Sequence, residues 1–111
     1  LINDGKFTDS YVQELFDGAS GIGPESNQPR TAIGATDDGR LIFFVCEGRE
    51  MTPDVKGLTT ADVARVLLQL GCVEAVNLDG GGSSCMLVNG KETIAVSDGS
   101  QRAVASAIML K

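Results

Sequence analysis

Asn77-Leu78-Asp79-Gly80-Gly81-Gly82-Ser83-Ser84 is the one segment of this sequence that cannot be explained as core. Three consecutive glycines cost on the order of 1 kcal/mol each against alanine in backbone entropy. They belong where a chain must bend through positive φ or let a ligand come close to its amides. Val73 to Leu78 reads as a strand, so the glycine N–H groups would gather at its carboxyl end, where such clusters bind anionic oxygens. Arg30 and Arg102 each precede a strand-like run of small residues, Thr31-Ala-Ile-Gly-Ala and Ala103-Val-Ala-Ser-Ala. A guanidinium fork at such an entry can reach a phosphate with two parallel hydrogen bonds. A plainer account competes with each: glycines that only shape a turn, and arginines that are solvated charges.

The standard phosphate motifs are absent. A dinucleotide fingerprint needs a third glycine where Cys85 stands, and a P-loop needs Gly-Lys-Ser/Thr. A nucleophile elbow would need glycine at 85 and a histidine, and the chain has no histidine. That zero also excludes a Ser-His-Asp triad, a Cys-His pair and a two-histidine zinc motif. Acid–base chemistry near neutral pH falls to Asp, Glu, Lys, Tyr or Cys. Cys46, Cys72 and Cys85 form no Cys-x-x-Cys and sit among apolar neighbours, which reads as buried small hydrophobes. Asp54, Asp79 and Asp98 are hard oxygen ligands, but their spacing matches no calcium loop, so no metal or other cofactor is assigned.

The elements that must position these residues belong to a chain of 111 residues, the size of one domain or part of a larger one. Hydrophobic residues make up 42% and charged residues 22%, a globular composition. The net charge of −6 argues against nucleic acid or an anionic membrane surface as partner. No apolar run is long enough to insert in a membrane, and no basic-then-apolar leader opens the chain. It starts at Leu1 in what reads as mid-domain sequence, so a processed chain or a fragment is expected.

Leu1 to Phe7 predicts a hairpin around Asn3-Asp4-Gly5, and Asp9 to Phe16 a short helix ahead of a loop over residues 19–29. Thr31 to Thr36 and Leu41 to Cys46 form a second hairpin through Asp37-Asp38-Gly39. Thr59 and Asp62 make a capping-box variant ahead of a helix whose stripe is Val63, Val66, Leu67 and Leu70, with Gly71 as stop. Cys85 to Val88 and Glu92 to Val96 flank Asn89-Gly90, and Ala103 to Leu110 reads as a final strand. The expected class is α+β, a mixed, mostly antiparallel sheet with one principal helix over about residues 60–70.

Taken in order, Arg30-Thr-Ala-Ile-Gly, Asp38-Gly39-Arg40, Glu47-Gly48-Arg49, Leu70-Gly71, Asn77-Leu-Asp-Gly-Gly-Gly-Ser-Ser, Asn89-Gly90, Ser97-Asp98-Gly99 and Arg102-Ala-Val resemble the phosphodiester glycosidase domain. The likeness covers residues 1–7 and 30–111. An Asn-Gly-Gly-Phe-Phe segment usual in that family is missing, and Ala103 and Ala105 stand where Pro and Asn are common. The resemblance implies the C-terminal part of such a domain, completed by an N-terminal half or by another chain. It implies hydrolysis of a sugar-1-phosphodiester, such as one of N-acetylglucosamine, and an exopolysaccharide, cell-envelope or extracellular setting. On this resemblance Arg30 and Arg102 clamp the phosphate, while Asn77, Gly80, Gly81, Gly82, Ser83 and Ser84 line the site. Asp79 is the first candidate for the carboxylate facing the anomeric carbon, with Glu47 and Asp98 candidates for a second acid. A non-catalytic module binding a sugar phosphate or glycan, in an envelope or phage tail protein, is the alternative. The low aromatic content (four Phe, one Tyr, no Trp) weakens it, since sugars stack on aromatic faces.

Overall fold

The structure, a computed structural model, describes residues 1–8, 10 and 22–111. The helix expected over residues 9–16 and the start of the loop behind it lie outside the described residues.

Five strands form one sheet in the order β2-β1-β5-β3-β4: β1 (Ile2–Asn3), β2 (Lys6–Phe7), β3 (Arg30–Thr36), β4 (Leu41–Cys46) and β5 (Cys72–Asn77). Every hydrogen-bonded neighbour in it is antiparallel. Since β3 is antiparallel to both β4 and β5, those two run parallel with β3 between them. The one α-helix among the described residues, α1 (Thr60–Gln69), makes the crossover from one to the other. The class is α+β, with a mostly antiparallel sheet and one principal helix.

Local chemistry explains where these elements begin and end. The Thr59 hydroxyl accepts from the Asp62 amide at 3.1 Å, and the Asp62 carboxylate accepts from the Thr59 amide at 3.3 Å. This reciprocal cap satisfies two of the donors that every helix start leaves over. Those bonds, the Thr59 hydroxyl foremost, hold the Asp62 carboxyl below its ordinary pKa. Val63, Ala64 and Leu67 are the helix's buried residues, and they pack with Ile2, Ala32, Cys72 and Ala75 of the sheet. The buried stripe is thus rotated from the expected one: Ala64 lies inside and Leu70 is 48% exposed at the C-cap. Strand alternation sends Ile42 and Phe44 to the helix side and Ile33, Phe43 and Val76, in register with one another, to the other face.

Two expectations are corrected. The hairpin at Asn89-Gly90 is a separate two-stranded ribbon of only β6 (Leu87–Val88) and β7 (Lys91–Glu92), although Asn89 (φ 52) and Gly90 (φ 78) make the turn foreseen. Ala103 to Leu110 is not a strand, and residues 101–111 are exposed throughout. A β-branched, apolar run becomes a strand only when it has an edge to pair with, and among the described residues it meets none. Cys46, Cys72 and Cys85 are free thiols, and burial raises the pKa of each.

Candidate active site

The parallel course of β4 and β5 brings their carboxyl ends to the rim of the sheet where β3 begins. Glu47–Arg49, Asp79–Ser84 and the approach to Arg30 therefore meet at one edge.

The glycine segment continues the β5–β3 ladder past the last strand residue. Leu78 donates its amide to Thr31 O at 2.8 Å, and Gly81 to Pro29 O at 2.9 Å. A Cβ on Gly80 would fall 2.9 Å from the same Pro29 oxygen, so no side chain fits there. The chain then tightens into a 3₁₀ turn, Gly81–Ser83, closed by bonds from Ser83 to Gly80 O and from Ser84 to Gly81 O, both 3.1 Å. Gly81 has φ 59, the left-handed region that glycine enters without cost. Three amides of the expected anion cradle, those of Gly81, Ser83 and Ser84, are thus spent on the loop's own stitching.

Each glycine of the turn carries a guanidinium against it. A Cβ on Gly82 would stand 2.6 Å from Arg102 Cζ and 2.6 Å from Asp98 Oδ1. Arg102 gives both Nε and Nη2 to Asp98 Oδ2 at 2.8 Å, and the pair is partly exposed. A Cβ on Gly81 would stand 2.9 Å from Nη2 of Arg49. Arg49 donates from Nε to Gln28 Oε1 at 2.9 Å and from Nη1 to Ser97 Oγ at 3.5 Å. Consecutive residues, Ser97 and Asp98, therefore hold the two guanidiniums on consecutive glycines. Arg49 and Glu50 both have positive φ, 58 and 54, a strained backbone that costs on the order of 1 kcal/mol per residue and persists only where surroundings fix it.

Arg30 is placed differently from the expected clamp. It is buried, and it donates from Nε to Leu58 O at 2.9 Å and from Nη2 to Gly23 O at 2.9 Å and Ser26 O at 2.6 Å. Burial pulls its pKa below the ordinary arginine value. Its guanidinium ties the approach to β3 and the segment before α1 to each other. Ser84 is also interior, its hydroxyl accepting from the Thr31 hydroxyl at 3.1 Å.

Of the carboxylates, Asp79 is exposed at the mouth of the glycine loop. Glu47 is half-buried and accepts from the Ala95 amide at 2.7 Å, drawing the 94–102 segment across the site. A hydrogen bond from the Thr52 hydroxyl, then the one from Ala95, hold its carboxyl below the usual glutamate range. Asp98 is the ion-pair partner of Arg102. Asn77 is exposed and donates to Leu78 O at 3.0 Å, and Ser83 is half-buried on the turn. No group of three or more Cys, Asp and Glu among the described residues could hold a metal ion. Gly82, Asp98 and Arg102 come together here, Glu47 binds the segment that carries Asp98, and Asp79 stands exposed at the head of the loop, while Arg30 and Ser84 turn inward. Arg49 is the functional candidate that sequence reasoning passed over. Its signal lay in Glu47-Gly48-Arg49, which directly follows the strand parallel to the one feeding the glycine loop.

Known proteins resemble this chain in sequence and in fold. Over 82 residues the chain is 40% identical to the SPbeta prophage-derived uncharacterized protein YomE of Bacillus subtilis, covering 74% of this chain and 12% of that protein. Over 61 residues it is 41% identical to mouse N-acetylglucosamine-1-phosphodiester alpha-N-acetylglucosaminidase, covering 55% of this chain and 11% of the enzyme. The catalytic domain of the zebrafish enzyme of that name, solved in a form auto-inhibited by its pro-peptide, superposes with a TM-score of 0.66 at 28% identity, over 84% of this chain and 31% of that one. The chain thus spans about an eighth of the length of the curated relatives it matches. The phosphodiester glycosidase family profile matches residues 1–111 from end to end, and the chain belongs to that family.

Proposed function

We propose that the site hydrolyses a sugar-1-phosphodiester at the bond between the anomeric carbon and the phosphate oxygen. Water supplies the hydroxyl that ends on the anomeric carbon, and the phosphate monoester leaves with the electron pair of the broken bond. Such a leaving group is already stabilised as an anion, so little proton donation is required. The demanding part is to hold the phosphate and to stabilise positive charge developing on the sugar.

The residues divide along those lines. Arg102, oriented by Asp98 and admitted to the loop by the missing side chain of Gly82, meets the phosphate. Asp79, exposed at the head of the same loop three residues before Gly82, faces the anomeric carbon as nucleophile or as base for water. Glu47, kept ionised by the Thr52 and Ala95 bonds, adds negative potential that favours an oxocarbenium-like centre. Asn77 and Ser83 offer polar contacts at the loop's two ends, and Arg30 and Ser84 support the loop from inside.

The observation that carries this reading is the seating of the Arg102–Asp98 pair on Gly82, one loop residue from Gly81 and three from Asp79. The names of the mouse and zebrafish relatives supply the reaction class. The test is Asp79→Asn in the full chain, assayed on a methyl sugar-1-phosphodiester. The expected result is a loss of about 1000-fold or more in kcat from a folded variant, in line with removal of a reacting group. Near-normal turnover would remove Asp79 from the reaction. Binding of the diester by the wild-type chain with no release of sugar would replace hydrolysis by capture.

A further inference from the structure

We infer that Arg49 is a second phosphate-contacting cation of this site, filling the role expected of Arg30; the inference rests on the hydrolytic reading above. Three other arginines near the surface, Arg40, Arg65 and Arg102, are each paired with a carboxylate. Arg30 spends its donors on backbone carbonyls in the interior. Arg49 differs from all of these. Its tethers are a side-chain amide oxygen, Gln28 Oε1, and a hydroxyl, Ser97 Oγ. Both orient the guanidinium, and neither carries charge to neutralise it. Among the described residues it forms no ion pair, and it is exposed to solvent.

Its position suits an anion held jointly with Arg102. Nη2 of Arg49 lies where a side chain on Gly81 would be, and Arg102 lies where one on Gly82 would be. Ser97 holds the first and Asp98 the second, so one short segment sets both. The left-handed backbone at Arg49 and Glu50 aims the side chain at the glycine turn instead of along the strand direction of β4. A rigid, charged fork kept from any carboxylate and pressed against a loop is suited to a phosphate's planar pairs of oxygens. The ligand class implied is a phosphodiester whose non-bridging oxygens lie between two guanidiniums.

The test compares Arg49→Met and Arg49→Lys with the wild-type full chain on two substrates of one sugar, its methyl 1-phosphodiester and its uncharged 4-nitrophenyl glycoside. Loss of a charged contact predicts that Arg49→Met raises KM for the phosphodiester about 10- to 100-fold, with a smaller change in kcat. The preference for phosphodiester over neutral glycoside should fall by a similar factor, and Arg49→Lys should recover part of it. An unchanged preference in a folded Arg49→Met variant would overturn the assignment. If the wild type turns over neither substrate, calorimetry with the phosphodiester decides. Binding lost in Arg49→Met keeps the role of Arg49 and rejects hydrolysis, whereas binding equal in both, or absent in the wild type, overturns the role of Arg49 too.

Discussion

Arg102 occupies the space that a side chain on Gly82 would need, its Cζ 2.6 Å from where a Cβ would stand. Alanine at 82 must therefore push the guanidinium and its Asp98 partner off the loop. Misplacement of a binding group by about 1 Å costs roughly 100-fold in rate. Gly82→Ala should lose kcat/KM on that scale while its melting temperature stays within a few degrees of wild type. Full activity in this variant would show that Arg102 does not act from its position on the loop.

Arg30 should prove structural. Arg30→Met deprives the Leu58, Gly23 and Ser26 oxygens of a charged donor. With hydrogen bonds to charged groups worth about 1.5–3 kcal/mol each and not additive, a loss of about 3 kcal/mol is expected in urea unfolding. Turnover by the fraction still folded should retain the wild-type KM. A large rise in KM with stability intact would return Arg30 to the phosphate.

Glu47 separates a tether from an acid. Its folded pKa lies below the unfolded one because of the Thr52 and Ala95 bonds. The stability it lends is therefore complete above the ordinary glutamate range and fades as pH falls through the lowered value. A carboxyl titration followed by NMR should show a midpoint below that of a free glutamate. Glu47→Gln keeps an acceptor for the Ala95 amide, so an activity loss under about tenfold fits a tether. A loss of about 1000-fold would mark Glu47 as a reacting group.

The cap of α1 supports the site at one remove, because the helix packs under β5, whose end carries the glycine loop. Thr59→Ala removes the hydroxyl acceptor for the Asp62 amide and should lower stability by about 1 kcal/mol. KM should stay at the wild-type value in thermal and kinetic assays run side by side.

What could be read in advance was what local chemistry decides. The capping box at Thr59 and Asp62, the turn at Asp37-Asp38-Gly39 and the cost of three glycines in a row all declare themselves within a few residues. Ala103 to Leu110 misled because a strand is a property of two segments, and its own residues say nothing of an available edge. Arg30 misled for a related reason: its acceptors come from positions 23, 26 and 58, which only the fold gathers. Arg49 was hidden by topology, since its nearness to the glycine loop follows from two strands running the same way with a third between them.

That topology also divides labour between the two rims of the sheet. The turns at Asp4-Gly5, at Asp37-Asp38-Gly39 and at Gly71 lie on the rim opposite the glycine loop, because each closes a strand end or opens a strand start there. They are the natural places to splice in a reporter or a purification handle, since an added peptide would leave from the far shore of the molecule, away from the glycine loop.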